Sequence, residues 1–203
     1  MQRGGPVADN NDNIYVMTGN GPFDNSTNFG VSALKLSTPQ LSLQDYFTPH
    51  NASYLGSNNV DLGAGGLLMI PGTSLLVGGG KDGYLRLIDG KNMGKFNAST
   101  DNNLQNFSVT SSWIFGTPTF WDGPGGQWVY LWVSGGLAEA YKFNGSTTAP
   151  AFQTSPISQG RINSPNGEVD TSPMSLSANG SQAGTGILWA PIAQLGGRIS
   201  NWR

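Results

Sequence analysis

The stretch LLVGGGKDGYLRLID, Leu75–Asp89, decides between two folds. Its glycines Gly78, Gly80 and Gly83 have the GxGxxG spacing of a dinucleotide-binding loop, and Lys81 follows like a phosphate ligand. Such a loop binds phosphate only when a helix begins directly after it. Here the aromatic and branched run YLRLI follows instead, which favours a strand. A P-loop is excluded too, because Leu75 replaces its first glycine and Asp82 its Ser/Thr. Asp82-Gly83 predicts a hairpin with a type I′ turn.

Four similar strands recur along the chain and predict an all-β fold. Aligning Met17, Val77, Val133 and Trp189 gives steps of 60, 56 and 56 residues. Repeats of this length with four strands each are typical of β-propeller blades. The sequence therefore predicts one partial β-propeller domain over residues 1–203, with four-stranded antiparallel blades at about 4–60, 61–110, 111–165 and 166–203. About three and a half blades cannot close a ring, so we expect exposed strand edges at both ends.

Turn residues divide the first repeat into two hairpins, one around Asp9–Asn13 and one around Thr38-Pro39. Together they predict a four-stranded meander. The proline-rich stretch Pro150–Asp170 and the polar stretch Asn97–Ser108 are interpreted as long loops.

Composition limits the classes of partner. The formal charge is −2, only 11% of residues are charged, and the ten Lys and Arg residues occur singly. Such a chain provides no electrostatic footprint for nucleic acid or an anionic membrane. No apolar run reaches the ~18 residues of a membrane span, and the first ten residues lack a signal-peptide core. The chain has no Cys, which excludes thiolate sites and disulfides.

Six asparagines lie in glycosylation triplets: Asn25, Asn51, Asn97, Asn106, Asn144 and Asn179. One interpretation is that Asn- and Ser-rich composition produces them by chance. The other is a secreted, extracellular glycoprotein whose N-linked glycans replace charge as the solubilising device.

Individual candidate site residues are few. Most of the twelve carboxylates lie in turn contexts, and the DNNDN segment is interpreted as a hairpin turn rather than a calcium loop. His50, the only histidine, is predicted to lie in an exposed loop without a catalytic role. Trp132 and Trp189 are expected to pack between blades. Trp121 and Trp128 flank a loop tip and are the candidate ligand-contact aromatics, with blade packing as the alternative.

The segments GGPVADNNDNIYVMTGNGPFD, DYFTPHN, DLGAGGLLMIPG and LLVGGGKDGYLRLIDGKNMGKF resemble the repeats of quinoprotein alcohol dehydrogenase-like (PQQ-repeat) β-propellers. The resemblance spans about Gly4 to Trp189. The family's tryptophan-docking motif is matched only in part, by Leu87, Asp89 and Gly94. Enzymes of the family bind pyrroloquinoline quinone and calcium on the axis, but their base and calcium ligands have no matching positions here, so no catalytic or metal residue is assigned.

Three functions remain open at this point. The first is a secreted, glycosylated propeller segment that binds or scaffolds, completed by further blades of a longer precursor or by another chain. The second is a PQQ- and calcium-dependent alcohol or sugar dehydrogenase whose catalytic residues lie in blades outside this chain. The third is a structural subunit that self-associates through open edges into an extracellular filament or coat.

Overall fold

The computed structural model describes residues 4–164, 173–193 and 199–200, and these residues confirm an all-β fold. The described strands are β1 (Val7–Ala8), β2 (Ile14–Met17), β3 (Ala33–Ser37), β4 (Ser42–Thr48), β5 (Leu67–Met69), β6 (Leu75–Gly79), β7 (Tyr84–Asp89), β8 (Lys95–Phe96), β9 (Gln105–Ser108), β10 (Thr119–Gly123), β11 (Gly126–Trp132), β12 (Leu137–Phe143), β13 (Ser158–Asn163), β14 (Ser175–Ser177), β15 (Ile187–Trp189), β16 (Ile192–Ala193) and β17 (Ile199–Ser200). A short helix α1 (Ala52–Ser57) and a 3-10 helix (Leu62–Ala64) connect β4 to β5. Across the described residues, no helix has the length and hydrophobicity needed to cross a bilayer.

The strands form successive antiparallel meanders. The first sheet has the order β1-β2-β3-β4-β8, the second β5-β6-β7-β9 and the third β10-β11-β12-β13. Two pairs follow, β14-β15 and β16-β17. The predicted meander of the first repeat is confirmed. Its fifth strand, β8, is an addition, because this segment returns from the second sheet and pairs parallel to β4.

The four aligned positions of the sequence repeat occupy equivalent places. Met17 ends β2, Val77 lies in β6, Val133 directly follows β11, and Trp189 ends β15. The four strands β2, β6, β11 and β15 are each the second strand of their sheet. The sequence repeat therefore corresponds to a repeated antiparallel sheet.

Three apolar layers join the sheets face to face. Tyr15 and Phe47 of the first sheet pack with Leu76 and Ile88 of the second. Because side chains alternate along a strand, the neighbouring Val77 points to the opposite face. The second layer joins Val77, Leu85 and Leu87 to Val129, Leu131 and Tyr141 of the third sheet. Trp132, Met174 and Leu188 form a third layer against β14-β15.

The first three sheets meet where their first strands begin. Gly4 lies shortly before β1, Gly66 directly before β5 and Thr117 shortly before β10. A Cβ added at Gly66 would lie 3.3 Å from Gly4 Cα and 3.0 Å from Thr117 Cβ. This approach leaves no space for larger side chains.

The glycine-rich stretch is a hairpin, as predicted. β6 pairs antiparallel with β7, and no helix follows Gly83. The type I′ prediction is wrong, because Gly83 has a positive φ (73°) but Asp82 does not. Instead Gly83 N–H donates to Gly80 O (3.2 Å) in a four-residue loop. Lys81 forms an ion pair with Asp61 (2.7 Å) rather than presenting itself for phosphate.

Two loop predictions are wrong in part. β13 lies within Pro150–Asp170 and pairs with β12, while residues 165–170 of that stretch lie outside the described residues. Likewise β9 occupies the end of Asn97–Ser108 and pairs with β7. Both are outermost strands of their sheets with a polar sequence, so they lack the apolar alternation that marks a half-buried strand.

Candidate functional site

The two candidate tryptophans are neighbours. Trp121 on β10 and Trp128 on β11 are cross-strand partners beside the predicted turn. The Trp121 indole N–H donates to Gly180 O (3.1 Å), and a Cβ added at Gly186 would lie 2.6 Å from its ring. Lys142 Nζ lies 5.4 Å from the Trp128 ring centroid. Both rings therefore have intramolecular contacts, and their role toward a ligand stays a prediction.

The six glycosylation asparagines all lie outside the buried core. Asn25, Asn106, Asn144 and Asn179 are exposed, and Asn51 and Asn97 are half-buried. Two of them stabilise turns, since Asn97 Oδ1 accepts from Ser99 N–H (2.9 Å) and Asn144 Oδ1 from Ser146 N–H (3.0 Å). This placement leaves glycan attachment a prediction.

Carboxylates in turns hold backbone N–H groups, as predicted. Asp9 Oδ1 accepts from the N–H groups of Asn11 and Asn13, both at 2.9 Å, which makes the DNNDN segment a hydrogen-bonded turn between β1 and β2. Asp24 holds the N–H groups of residues 26–28 in the same way, and these bonds keep the pKa of its carboxyl well below the ordinary value. Within the described residues, no three His, Asp or Glu side chains converge as a metal site.

His50 has a partner that the sequence does not reveal. It lies shortly after β4, and Asp101 lies in the connection between β8 and β9. His50 N–H donates to Asp101 Oδ1 (2.7 Å), and the imidazole Nδ1 lies 2.7 Å from the same oxygen. Since an ionised carboxylate only accepts, Nδ1 carries the proton. In the neutral imidazole, Nε2 is then an open acceptor.

The His50–Asp101 pair is connected to a buried network of charged side chains. Arg86, in the middle of β7, forms a bidentate ion pair with Asp82. Arg86 Nη1 donates to Asp82 Oδ1 (3.1 Å), and Nη2 donates to Oδ2. Arg86 Nε lies 3.8 Å from Asp101 Oδ2. The side chains of Arg86, Asp101 and Asp82 are only 4%, 5% and 10% exposed. Buried charges need such partners, because losing one partner leaves an uncompensated charge.

The network controls the charge of Asp101. Burial would raise the pKa of the Asp101 carboxyl, but the two His50 hydrogen bonds and the positive charge of Arg86 outweigh burial and lower it. Asn106 Nδ2 adds a hydrogen bond to Oδ2 (3.0 Å). Asp101 therefore stays ionised at neutral pH and orients the imidazole.

Two clefts share His50 as a lining residue. One, of about 480 Å³, is polar, and it is lined by His50, Asn51, Asp82, Tyr84, Arg86, Ser99, Thr100, Asp101 and Asn106. The other, of about 630 Å³, has Phe23 and Phe96 in its wall. His50 belongs to both walls. We call the first the His50–Tyr84 cleft, and it is the candidate functional site.

One sequence signal could have indicated this site. Arg86 interrupts the apolar run YLRLI at a position that a buried strand fills with a hydrophobic residue. A buried arginine requires carboxylates nearby, but the sequence does not show that they are Asp82 and Asp101.

Comparison with known proteins identifies no family for this chain. No protein-family model matches the chain, and no curated protein matches it significantly.

Proposed function

We propose that the chain is a segment of a β-propeller of the quinoprotein-like class and that it works as a binding or scaffold module. The observation that carries this proposal is the serial, face-to-face stacking of repeated meanders whose first strands begin side by side at Gly4, Gly66 and Thr117. Propeller blades also pack on their faces and converge toward one axis, and this likeness supports the proposal.

A partly uncovered apolar face on the first sheet supports the scaffold role. Ile14 pairs with Leu36, and Val16 with Leu34, on the side opposite to Tyr15 and Met17. Leu43, the cross-strand partner of Leu36, extends this surface. We call these five residues the outer face. None of the five belongs to the three layers, and all five side chains are half-buried or exposed. The same face is covered in part, because Tyr46, the cross-strand partner of Leu34, is buried against Phe23 and Phe29.

The outer face is the surface on which we propose that a further sheet packs. A surface of this kind is a site for association. Another sheet of the same type, from a longer precursor or another chain, would cover it as the second sheet covers Tyr15 and Phe47. The sequence leads to an expectation of open strand edges, whereas the surface that supports this proposal is a sheet face.

The proposal places the module outside the cell. All six glycosylation asparagines lie outside the core, where glycans could attach without unfolding the sheets. Treating the naturally produced protein with an N-glycosidase should increase its electrophoretic mobility. An unchanged mobility would remove the glycoprotein part of the proposal.

Binding is proposed rather than quinone chemistry, which stays an alternative located in blades outside this chain. The described carboxylates Asp9 and Asp24 hold turns, and Asp82 and Asp101 hold Arg86. None of these contacts favours a quinone site.

The decisive experiment is an experimental structure of the naturally produced protein. The expected result is a set of antiparallel sheets arranged around one axis, with Gly4, Gly66 and Thr117 facing it. Sheets stacked without a common centre would contradict the proposal.

A further inference from the structure

The His50–Tyr84 cleft has hydrogen-bonding capacity that the ion network leaves unused. Asp101 accepts the hydrogen bond from His50 Nδ1, so Nε2 is the acceptor of the neutral imidazole. The hydroxyls of Ser99 and Thr100 and the amide of Asn51 lie in the same wall. A ligand that both donates and accepts several hydrogen bonds would match these groups.

With the imidazole neutral, the cleft holds one guanidinium and two carboxylates, a net charge of −1, which disfavours an anionic ligand. The charge of the Arg86 guanidinium is paired with Asp82 and Asp101, although its buried Nε has no hydrogen-bond partner among the described residues. An anionic ligand would have to compete with two carboxylates, and a cation would compete with the guanidinium. Breaking a buried pair leaves a charge without compensation, which is costly.

The cleft also offers one aromatic surface. Tyr84 begins β7 and is 41% exposed. Arg86 Cζ lies 5.7 Å from its ring centroid, which holds the ring beside the ion network. A ring with an apolar face next to hydrogen-bonding groups suits a ligand with an apolar face and polar edges.

We propose that the His50–Tyr84 cleft binds a neutral saccharide, which packs on Tyr84 and donates a hydrogen bond from one of its hydroxyl groups to His50 Nε2. This goes beyond the binding module proposed above, and it depends only on contacts between residues 50 and 106. It would hold whether or not the sheets form a propeller.

Two sources of the sugar share this chemistry. Asn51 and Asn106 both line the cleft and both belong to glycosylation triplets. The sugar is therefore either the chain's own N-linked glycan or a free oligosaccharide, and the experiment has one arm for each.

The experiment uses the single histidine of the chain as its reporter, since its imidazole NMR signals need no assignment. In the first arm, protein produced without glycans in a bacterial host is titrated with neutral disaccharides (cellobiose, lactose and chitobiose). In the second, the imidazole signals of that protein are compared with those of the naturally produced, glycosylated protein, because enzymatic removal of a glycan would convert its Asn to Asp. We expect the signals to shift in at least one arm, and saturating shifts in the first arm give a Kd.

Matched tyrosine variants test the stacking surface. Tyr84→Ala should weaken binding at least ten-fold or abolish the glycan-dependent shift, while Tyr84→Phe should retain it. Tyr54→Ala is the control, because Tyr54 is 63% exposed on α1 and lines neither cleft. Thermal unfolding of each variant verifies that it is folded.

The two arms distinguish the two sources of the sugar. Shifts with free disaccharides assign an external saccharide, and a difference only between the glycosylated and the unglycosylated protein assigns the chain's own glycan. Unchanged imidazole signals in both arms, or equal effects of Tyr84→Ala and Tyr54→Ala, would overturn the inference. The sheet arrangement would be unaffected by that result.

Discussion

His50 and Asp101 are 51 residues apart in sequence, and one carboxylate oxygen joins them through both the backbone N–H and the imidazole of His50. This oxygen ties the connection after β4 to the connection before β9, so it links the first sheet to the second. The remaining oxygen faces Arg86 and Asn106.

Replacing Asp101 by Asn should destabilise the fold by about 1–3 kcal/mol, because buried Arg86 would lose one of its two carboxylates. Urea denaturation measures this loss. Asp122→Asn is the control, because Asp122 is exposed on β10. Equal midpoints for the two variants would show that the network does not stabilise the protein.

Stability should decrease on acidification. The pKa values of Asp45, Asp61 and Asp101 are lowered because hydrogen bonds and cations outweigh the opposing effect of burial. Their contribution is complete above the unfolded-state pKa of about 3.9 and is lost as the pH falls through the lower folded-state values. The melting temperature should therefore decrease once the pH is lowered below about 4, and this decrease should be less steep in Asp101→Asn. A constant melting temperature down to pH 2 would contradict this.

Replacing Gly66 by Ala should destabilise the protein by about 1–3 kcal/mol, since the added Cβ would lie against Gly4 Cα and Thr117 Cβ. Gly5→Ala is a matched control, because a Cβ at Gly5 meets nothing within 4 Å. Thermal unfolding of both variants tests the prediction. If they melt together, the first strands do not converge as described.

The 203-residue chain should self-associate through the outer face when no other sheet covers it. Leu34→Lys/Leu36→Lys should weaken this association at least ten-fold, because charges would have to be buried in the contact. Sedimentation velocity over a concentration series measures it.

A control with the same added charge is Ser42→Lys/Gln44→Lys, at exposed polar positions of β4. Association that is lost equally in both double variants would point to net charge rather than the outer face. A wild-type chain that stays monomeric throughout would contradict the prediction.

Much of the local structure follows from short-range signals. Apolar and branched runs predict β2, β6, β7 and β11, and turn residues predict the connections at Asp9–Asn13 and Asp82-Gly83. The sequence predicts loops where the polar strands β9 and β13 lie, because the pairing of these strands depends on neighbouring strands rather than on their own side chains.

Residue type and spacing were enough to establish an all-β chain of repeated meanders, because hydrophobic alternation and turn chemistry act over a few neighbouring residues. They could not assemble the His50–Tyr84 cleft. His50, Asp82, Arg86 and Asp101 come from separate connections and one strand, and burial matters only after folding brings them together. Long-range packing decided which carboxylate holds the imidazole and which face of the first sheet stays open, since both depend on contacts between segments far apart in the chain.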